Sequence, residues 1–483
     1  CGFVFCNSFS RRVMFGVLGG RVMGVAGCSD GGEERLPEGR YALEVTARVE
    51  DGSRGLDVKK VWKAGDRIGV KVTSANGESS SGIYRVTDDA GNVEAESAAY
   101  WRSVGEGTVT AWYPVDATDI STQEDGNADF DAAGLDVLTA STTCNFGEVA
   151  DLGFTHALAR VRVEVMDRDD KLLPVKGVKV SVLGKTAVEF REGVMTTGGG
   201  TGCIAAHANA RAGLFEALVV PGEIGVRVEV GGKSFIYTPA AGKMPEAGKV
   251  NSYTVKLKEV VLAGNKDMSI SGSGEVILVG NGVTSGRITF DGDMTVALVN
   301  VNIEAYNGTP ITVGGGKVTF ELFGENRLVA KTTGYSALYN AEGTTVTLRG
   351  AGTLVAKGGE FGAGIGSGYQ GTCGDITISG GVVVAEGGNG SAGIGSGYYY
   401  SRCGEILISG GKVTARGSDG AVAIGAGKNG PCSWIVLENC EIHVPGDGKG
   451  GLSGANGIVA GSVVPDLGDG EEMREKGVRV EGI

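Results

Sequence analysis

Apolar and polar residues alternate along much of this 483-residue chain. Leu43, Val45, Ala47 and Val49 occupy every second position, as do Ile68, Val70 and Val72. The pattern returns at Val161, Val163 and Val165, at Val178, Val180 and Val182, and at Val226, Val228 and Val230. Successive side chains of a strand point to opposite faces, so a period of two marks half-buried strands. Helical periodicity is nearly absent. Residues 42–160 and 161–258 therefore read as two all-β sandwiches in tandem.

Beyond residue 258 the pattern becomes an explicit repeat. Gly364-Ile365-Gly366-Ser367-Gly368 returns as Gly393-Ile394-Gly395-Ser396-Gly397, then as Ala423-Ile424-Gly425-Ala426-Gly427. Gly374-Asp375-Ile376-Thr377-Ile378-Ser379-Gly380-Gly381 returns as Gly404-Glu405-Ile406-Leu407-Ile408-Ser409-Gly410-Gly411. Three apolar columns extend the register. The first runs Ile288, Ile311, Leu338, Ile365, Ile394, Ile424. The second pairs Val296/Leu298, Val318/Phe320, Val346/Leu348, Ile376/Ile378, Ile406/Ile408 and Ile435/Leu437. The third pairs Ile303/Ala305, Leu328/Ala330, Leu354/Ala356, Val383/Ala385, Val413/Ala415 and Ile442/Val444. One such repeat cannot bury its own apolar face, so neighbours must stack. The expectation is a right-handed parallel β-helix of about six coils over residues 259–447. Turn residues are expected at Asn300, Gly350, Gly380, Gly410 and Asn439, where Gly and Asn tolerate a left-handed backbone. Residues 448–483 are expected to form a cap or tail, with Ile458-Val459-Ala460 and Val463-Val464 covering the last coil.

Composition supports short strands and tight turns: Gly supplies 87 residues and Pro only 10. The net charge of −13, with both signs interspersed, argues against a nucleic-acid partner, which needs a basic face. Nine cysteines and three histidines without a CxxC pair give no zinc pattern. Near the N-terminus, Ser10-Arg11-Arg12 precedes a mostly apolar segment ending in Val25-Ala26-Gly27-Cys28, which fits the cleavage box of a bacterial lipoprotein. Residues 1–28 are then a signal segment, Cys28 is the lipidation site, and residues 29–41, opening Ser29-Asp30-Gly31-Gly32-Glu33-Glu34, are an acidic tether. The acidic run resembles the surface-export signal of some diderm lipoproteins, which implies a lipid anchor in the bacterial outer membrane and display at the cell surface.

Four segments in order resemble the fimbrillin-like family of bacterial surface lipoproteins. They are Trp62-Lys63-Ala64-Gly65-Asp66-Arg67-Ile68-Gly69-Val70, Thr110-Ala111-Trp112-Tyr113-Pro114, Leu152-Gly153-Phe154-Thr155-His156-Ala157-Leu158-Ala159-Arg160-Val161, and Gly248-Lys249-Val250-Asn251-Ser252-Tyr253-Thr254-Val255. The resemblance implies two transthyretin-like sandwiches and, as partners, other fimbrillin-like subunits. Downstream, Gly324-Glu325-Asn326-Arg327-Leu328, Leu348-Arg349-Gly350-Ala351-Gly352-Thr353-Leu354 and the Gly-Ile-Gly-Ser-Gly repeats resemble a bacterial β-helix family with carbohydrate-binding members. That resemblance implies an acidic polysaccharide or surface glycan as partner, with calcium as a companion ion.

The last three repeats carry longer loops after their first strand, and these hold the candidate ligand residues. Tyr369, Tyr398, Tyr399 and Tyr400 offer rings for sugar stacking, and Arg402 and Lys428 offer cations for uronate carboxylates. The alternative is that these tyrosines cover the edge of the apolar core. Asp375 and Glu405 stand outward one coil apart, the separation at which two carboxylates share a calcium ion or diverge into water. Cys373, Cys403 and Cys432 form a column that permits either a disulfide between adjacent rungs or stacked thiols, with Cys440 nearby. A lyase or hydrolase needs clustered acids and a basic partner. Asp375 and Glu405 have no such company, and Trp434 takes the next place in their column. His156, entering the second sandwich before Ala157-Leu158-Ala159, reads as a packed structural residue. Two non-enzymatic readings remain: a glycan-binding surface lipoprotein, and a fimbrial or adhesive subunit with the β-helix as tip or spacer.

Overall fold

The computed structural model describes residues 35–50, 61–123, 134–191, 193–240, 242–443, 452–453, 458–460 and 479–481. Cys28, the signal segment, Val444 and Val463-Val464 lie outside the described residues. Among the described residues every regular element is a β-strand.

In the first unit, Arg67–Thr73 lies between Ser79–Val86 and Glu106–Tyr113 in an antiparallel sheet. Glu44–Val49 instead pairs in parallel with Val149–His156. The latter strand also touches Leu138–Asn145 at its C-terminal end and so links the two layers. Leu43, Val45 and Ala47 from one layer meet Ile68, Val70 and Val72 from the other in a single core. Trp62 closes this core edge-on against Phe154, with ring centroids 5.0 Å apart. The Trp62–Val70 motif works as a turn followed by a strand. The Lys63 amide donates to Asp66 Oδ2 at 2.7 Å, and a Cβ on Gly69 would sit 2.1 Å from the Trp112 ring, so only glycine lets that ring lie across the strand.

The second unit has two facing sheets. One holds Val178–Arg191, Val194–Ala205, Gly225–Val230 and Lys233–Tyr237, and the other holds Ala159–Met166, His207–Asn209, Leu214–Val219 and Val250–Lys256. Its junction with the first unit explains the motif around His156. Leu152 and Phe154 enter the first core, whereas Leu158 and Val161 enter the second. Between them His156 Nδ1 lies 2.8 Å from Asp136 Oδ2, both buried, as a structural pair.

From residue 260 onward, strands pair in parallel with the strand one repeat later. The first expected column is the observed one: Ile288, Ile311, Leu338, Ile365, Ile394 and Ile424 are direct neighbours in turn. This ladder has eight strands, against the six repeats expected. Met268–Ser271 precedes Ile288–Asp291, and Leu452–Ser453 follows Ile424–Gly425. Residues placed in the tail also add strands: Ile458–Ala460 pairs with Ile435–Leu437, and Arg479–Glu481 with Glu441–His443.

The other two columns each slip by two residues at one step. Val296 lies opposite Phe320 rather than Val318, and Leu354 lies opposite Asn326 rather than Leu328. A two-residue slip keeps every side chain on its original face, so alternation alone does not reveal it. The second slip puts a polar residue in an apolar column. Asn326 is buried, and its side chain serves as a turn: Val301 N–H donates to Oδ1 at 2.9 Å, while Nδ2 donates to the Phe323 and Thr353 carbonyls at 3.2 Å each. The left-handed turn positions include Asn300, Gly350 and Asn439 as expected, but Gly381 and Gly411 replace Gly380 and Gly410.

The second sandwich and the parallel stack share a core. Ile277, Val279, Ala297 and Val299 face the sandwich, while Leu278, Val296 and Leu298 face into the stack. Leu262 N–H donates to Asp167 Oδ2 and Arg168 N–H to the Val260 carbonyl, each at 3.0 Å, tying the backbones across the joint.

Candidate functional site

The Gly-Ile-Gly-Ser-Gly segments create the platform on which the candidate residues stand. Gly366, Gly395 and Gly425 have φ of +127°, +129° and +121°. The Ser367 hydroxyl accepts from the Gly397 amide at 3.0 Å, and Ser396 from Gly427 at 2.7 Å. Each rung thereby fixes the start of the next loop, and the loops emerge in register.

Those loops assemble an aromatic row. Phe361 and Tyr398 stack with centroids 5.1 Å apart, and Tyr369 lies over both Tyr398 and Tyr399 at 6.1 and 6.3 Å. Tyr400 stands edge-on to Tyr399 at 4.5 Å. The two sequence readings divide within this row. Tyr398 is half-buried, whereas Tyr369, Tyr399 and Tyr400 are 43%, 36% and 70% exposed. Phe361 belongs to the row although nothing in the loop pattern singled it out. Phe361, Gln370, Tyr399 and Tyr400 all have positive φ, between 52° and 65°. For bulky residues such a backbone costs of order 1–3 kcal/mol each and gathers where a surface is shaped for use. Buried Ser401 helps hold it, its hydroxyl lying 2.9 Å from the Gly368 and Tyr398 carbonyls.

The candidate charges are placed differently. Arg402 is exposed, while Lys428 Nζ lies 3.8 Å from Asp419 Oδ2. Asp375 and Glu405 do occupy adjacent rungs, but Asp375 Oδ1 accepts from the Glu405 amide at 2.8 Å. Among the described residues no three His, Cys, Asp or Glu side chains gather as a metal site would require. In the cysteine column Cys403 and Cys432 form a disulfide, with Cα atoms 4.6 Å apart. Cys373 and Cys440 remain buried free thiols, pushed up by burial to about 12 and about 11.

Beside the aromatic row lies a cleft of about 440 Å³. Its floor is the outward column Thr289, Thr312 and Tyr339 on three neighbouring strands. Gly334 joins cleft to row, its carbonyl accepting from the Tyr369 amide at 2.9 Å. Sequence reading missed this cleft because most of its residues, Gly368 and Gly371 apart, come from the early repeats. The available signal was that Thr or Tyr follows each of the first three first-column residues, at Thr289, Thr312 and Tyr339.

Residues 48–273 match the model of the fimbrillin-like family. A Bacteroides uniformis protein named "Putative fimbrium subunit Fim1C" is 32% identical over 94 residues, which are 19% of this chain and 28% of that protein. The chain thus spans little more than a quarter of the length of this curated relative. Among solved structures, a "putative cell adhesion protein" from Bacteroides uniformis is 21% identical, with 46% of this chain and 95% of that one covered and a TM-score of 0.30. The fimbrial anchor protein Mfa2 from Porphyromonas gingivalis is 12% identical, with 45% and 90% covered and a TM-score of 0.28.

Proposed function

We propose that this chain, fimbrillin-like over residues 48–273, is a cell-surface adhesion protein whose C-terminal region is a right-handed parallel β-helix that binds glycans. In this reading residue Cys28 carries the lipid that anchors the chain to the outer membrane, and the two sandwiches hold the stack away from it. The observation that carries the glycan assignment is the aromatic row, in which Tyr369, Tyr399 and Tyr400 are exposed and the last two are presented on a backbone at positive φ. Rigid aromatic faces are what the apolar faces of sugar rings stack on, and pre-formed loops reduce the ordering cost of binding. A glycan array probed with the chain tests it. Replacing Tyr398, Tyr399 and Tyr400 by alanine is expected to abolish the signal from acidic polysaccharides, and an unchanged signal from them removes the row from the binding surface.

The family match supports a second role for the same chain, as a fimbrial subunit with other fimbrillin-like subunits as partners. Incubation after N-terminal proteolysis, followed by size-exclusion chromatography, tests this: polymers are expected from a shaft subunit and a monomer from a terminal one.

A further inference from the structure

The cleft beside the aromatic row has a chemistry of its own. Among its lining residues only Asp267 and Arg287 carry charge, and they are spent on each other. Arg287 Nε and Nη2 donate to Asp267 Oδ2 at 3.1 and 2.5 Å, and the Arg287 amide donates to Asp267 Oδ1 at 2.8 Å. The wall they form is polar but neutral in sum. Tyr335, also in the lining, is 43% exposed and offers a ring. Thr289 and Thr312 place two hydroxyls on the floor, one strand spacing of ~4.8 Å apart.

One further residue points to a ligand. Ser336 lines the cleft and is 0% exposed, yet its hydroxyl has no hydrogen-bond partner within the protein. A buried hydroxyl left unpaired is costly, and a small displacement that opens it to the cleft would let a ligand hydroxyl supply the missing partner. The volume of about 440 Å³ falls in the roughly 300–1,000 Å³ range of small-molecule sites.

We propose that this cleft is a binding site for a neutral saccharide unit, distinct from the tyrosine row and selecting against uronates. Its hydroxyl-bearing floor, its internally paired Asp267–Arg287 wall and the unsatisfied Ser336 hydroxyl suit a ring rich in uncharged donors and acceptors. A carboxylate here meets the Asp267 carboxylate and finds its one cation already engaged. The proposal rests on the reading that the stack binds glycans, but assigns the sugar class and the residues independently of the row.

Isothermal titration calorimetry on the full chain tests it, using cello-, xylo-, manno- and malto-hexaoses against hexagalacturonate. At least one neutral hexasaccharide is expected to bind and hexagalacturonate is not expected to compete with it. Thr312→Trp, which fills the cleft from an outward position, is expected to weaken that binding at least tenfold. Ser336→Ala, which removes only the hydroxyl, is expected to weaken it severalfold, while Tyr400→Ala changes it less than twofold. Circular dichroism on each variant confirms that the stack is intact. Neutral binding lost in Tyr400→Ala but unchanged in both cleft variants overturns this proposal and leaves the row standing. Binding of hexagalacturonate alone also overturns it. Binding of no probe overturns both readings.

Discussion

A methyl group at residue 395 has nowhere to go. The backbone there has φ +129°, and an added Cβ would lie 2.1 Å from the Gly425 carbonyl oxygen of the next rung. Gly395→Ala is expected to cost at least roughly 1–3 kcal/mol from the backbone alone, read as a lowered urea midpoint. Gly200→Ala, where the methyl meets nothing within 4 Å, is expected to stay within about 0.5 kcal/mol. A second residue-scale prediction concerns Glu216 in the second sandwich. Its Oε1 accepts from buried Arg160 and from Arg162 at 2.8 Å each, and its Oε2 from Asn209 at 2.9 Å. Burial alone would raise this carboxyl, but the Asn209 and Arg162 hydrogen bonds and the two arginine charges hold it below the ordinary 4.5. Its stabilisation is therefore complete above that value and is lost as pH falls through the lower folded value. Glu216→Gln is expected to flatten this acid limb in melts across pH 3–7. Because the variant removes a carboxylate that faces buried Arg160, it is also expected to be less stable than the parent at neutral pH. At this scale the sequence was partly legible. The repeat glycines and Tyr398–Tyr400 announce themselves by recurrence, whereas Arg160, Glu216 and Ser336 look like surface residues until the fold buries them.

Elements add constraints that single residues do not. The disulfide between Cys403 and Cys432 staples neighbouring rungs and closes a separation of 29 residues. The chain-entropy relation assigns a loop of this size roughly 3–4 kcal/mol. The Cys403→Ser, Cys432→Ser double variant is expected to lose about that much in chemical denaturation, and reductant is expected to shift only the parent protein. Native-state alkylation followed by mass spectrometry gives a related check. Among free Cys144, Cys203, Cys373 and Cys440, only exposed Cys203 is expected to label at neutral pH, since burial raises the other three thiols. The column of cysteines was visible as a spacing, but which pair would bond was not, because adjacent rungs are equivalent until the fold places them. The same equivalence hid the register slips at Phe320 and Asn326. Strand alternation reports the face of a side chain and not its neighbour along the ladder.

For the whole molecule, the shared core matters most. Ile277, Val279, Ala297 and Val299 are buried by the second sandwich although they lie on the outside of the stack. Their signal in the sequence is the break in alternation: Ile277-Leu278-Val279 and Val296-Ala297-Leu298-Val299 are continuous apolar runs, as strands covered on both faces are. Read that way, they would have shown the boundary near residue 258 to be a joint rather than a linker. Sandwich and stack are expected to melt together in calorimetry. Ala297→Glu, which buries an unpaired charge in the joint, is expected to lower that common transition while leaving Trp62 fluorescence of the first unit to change separately.

The glycine and serine contacts between Gly366, Gly395 and Gly425 are alike from rung to rung, although the loops they launch differ in sequence. A gene that gains or loses one such unit in frame therefore yields a chain that still threads into the same ladder, longer or shorter by ~4.8 Å. The length of the stack is thus set by copy number and can change without redesigning a single contact.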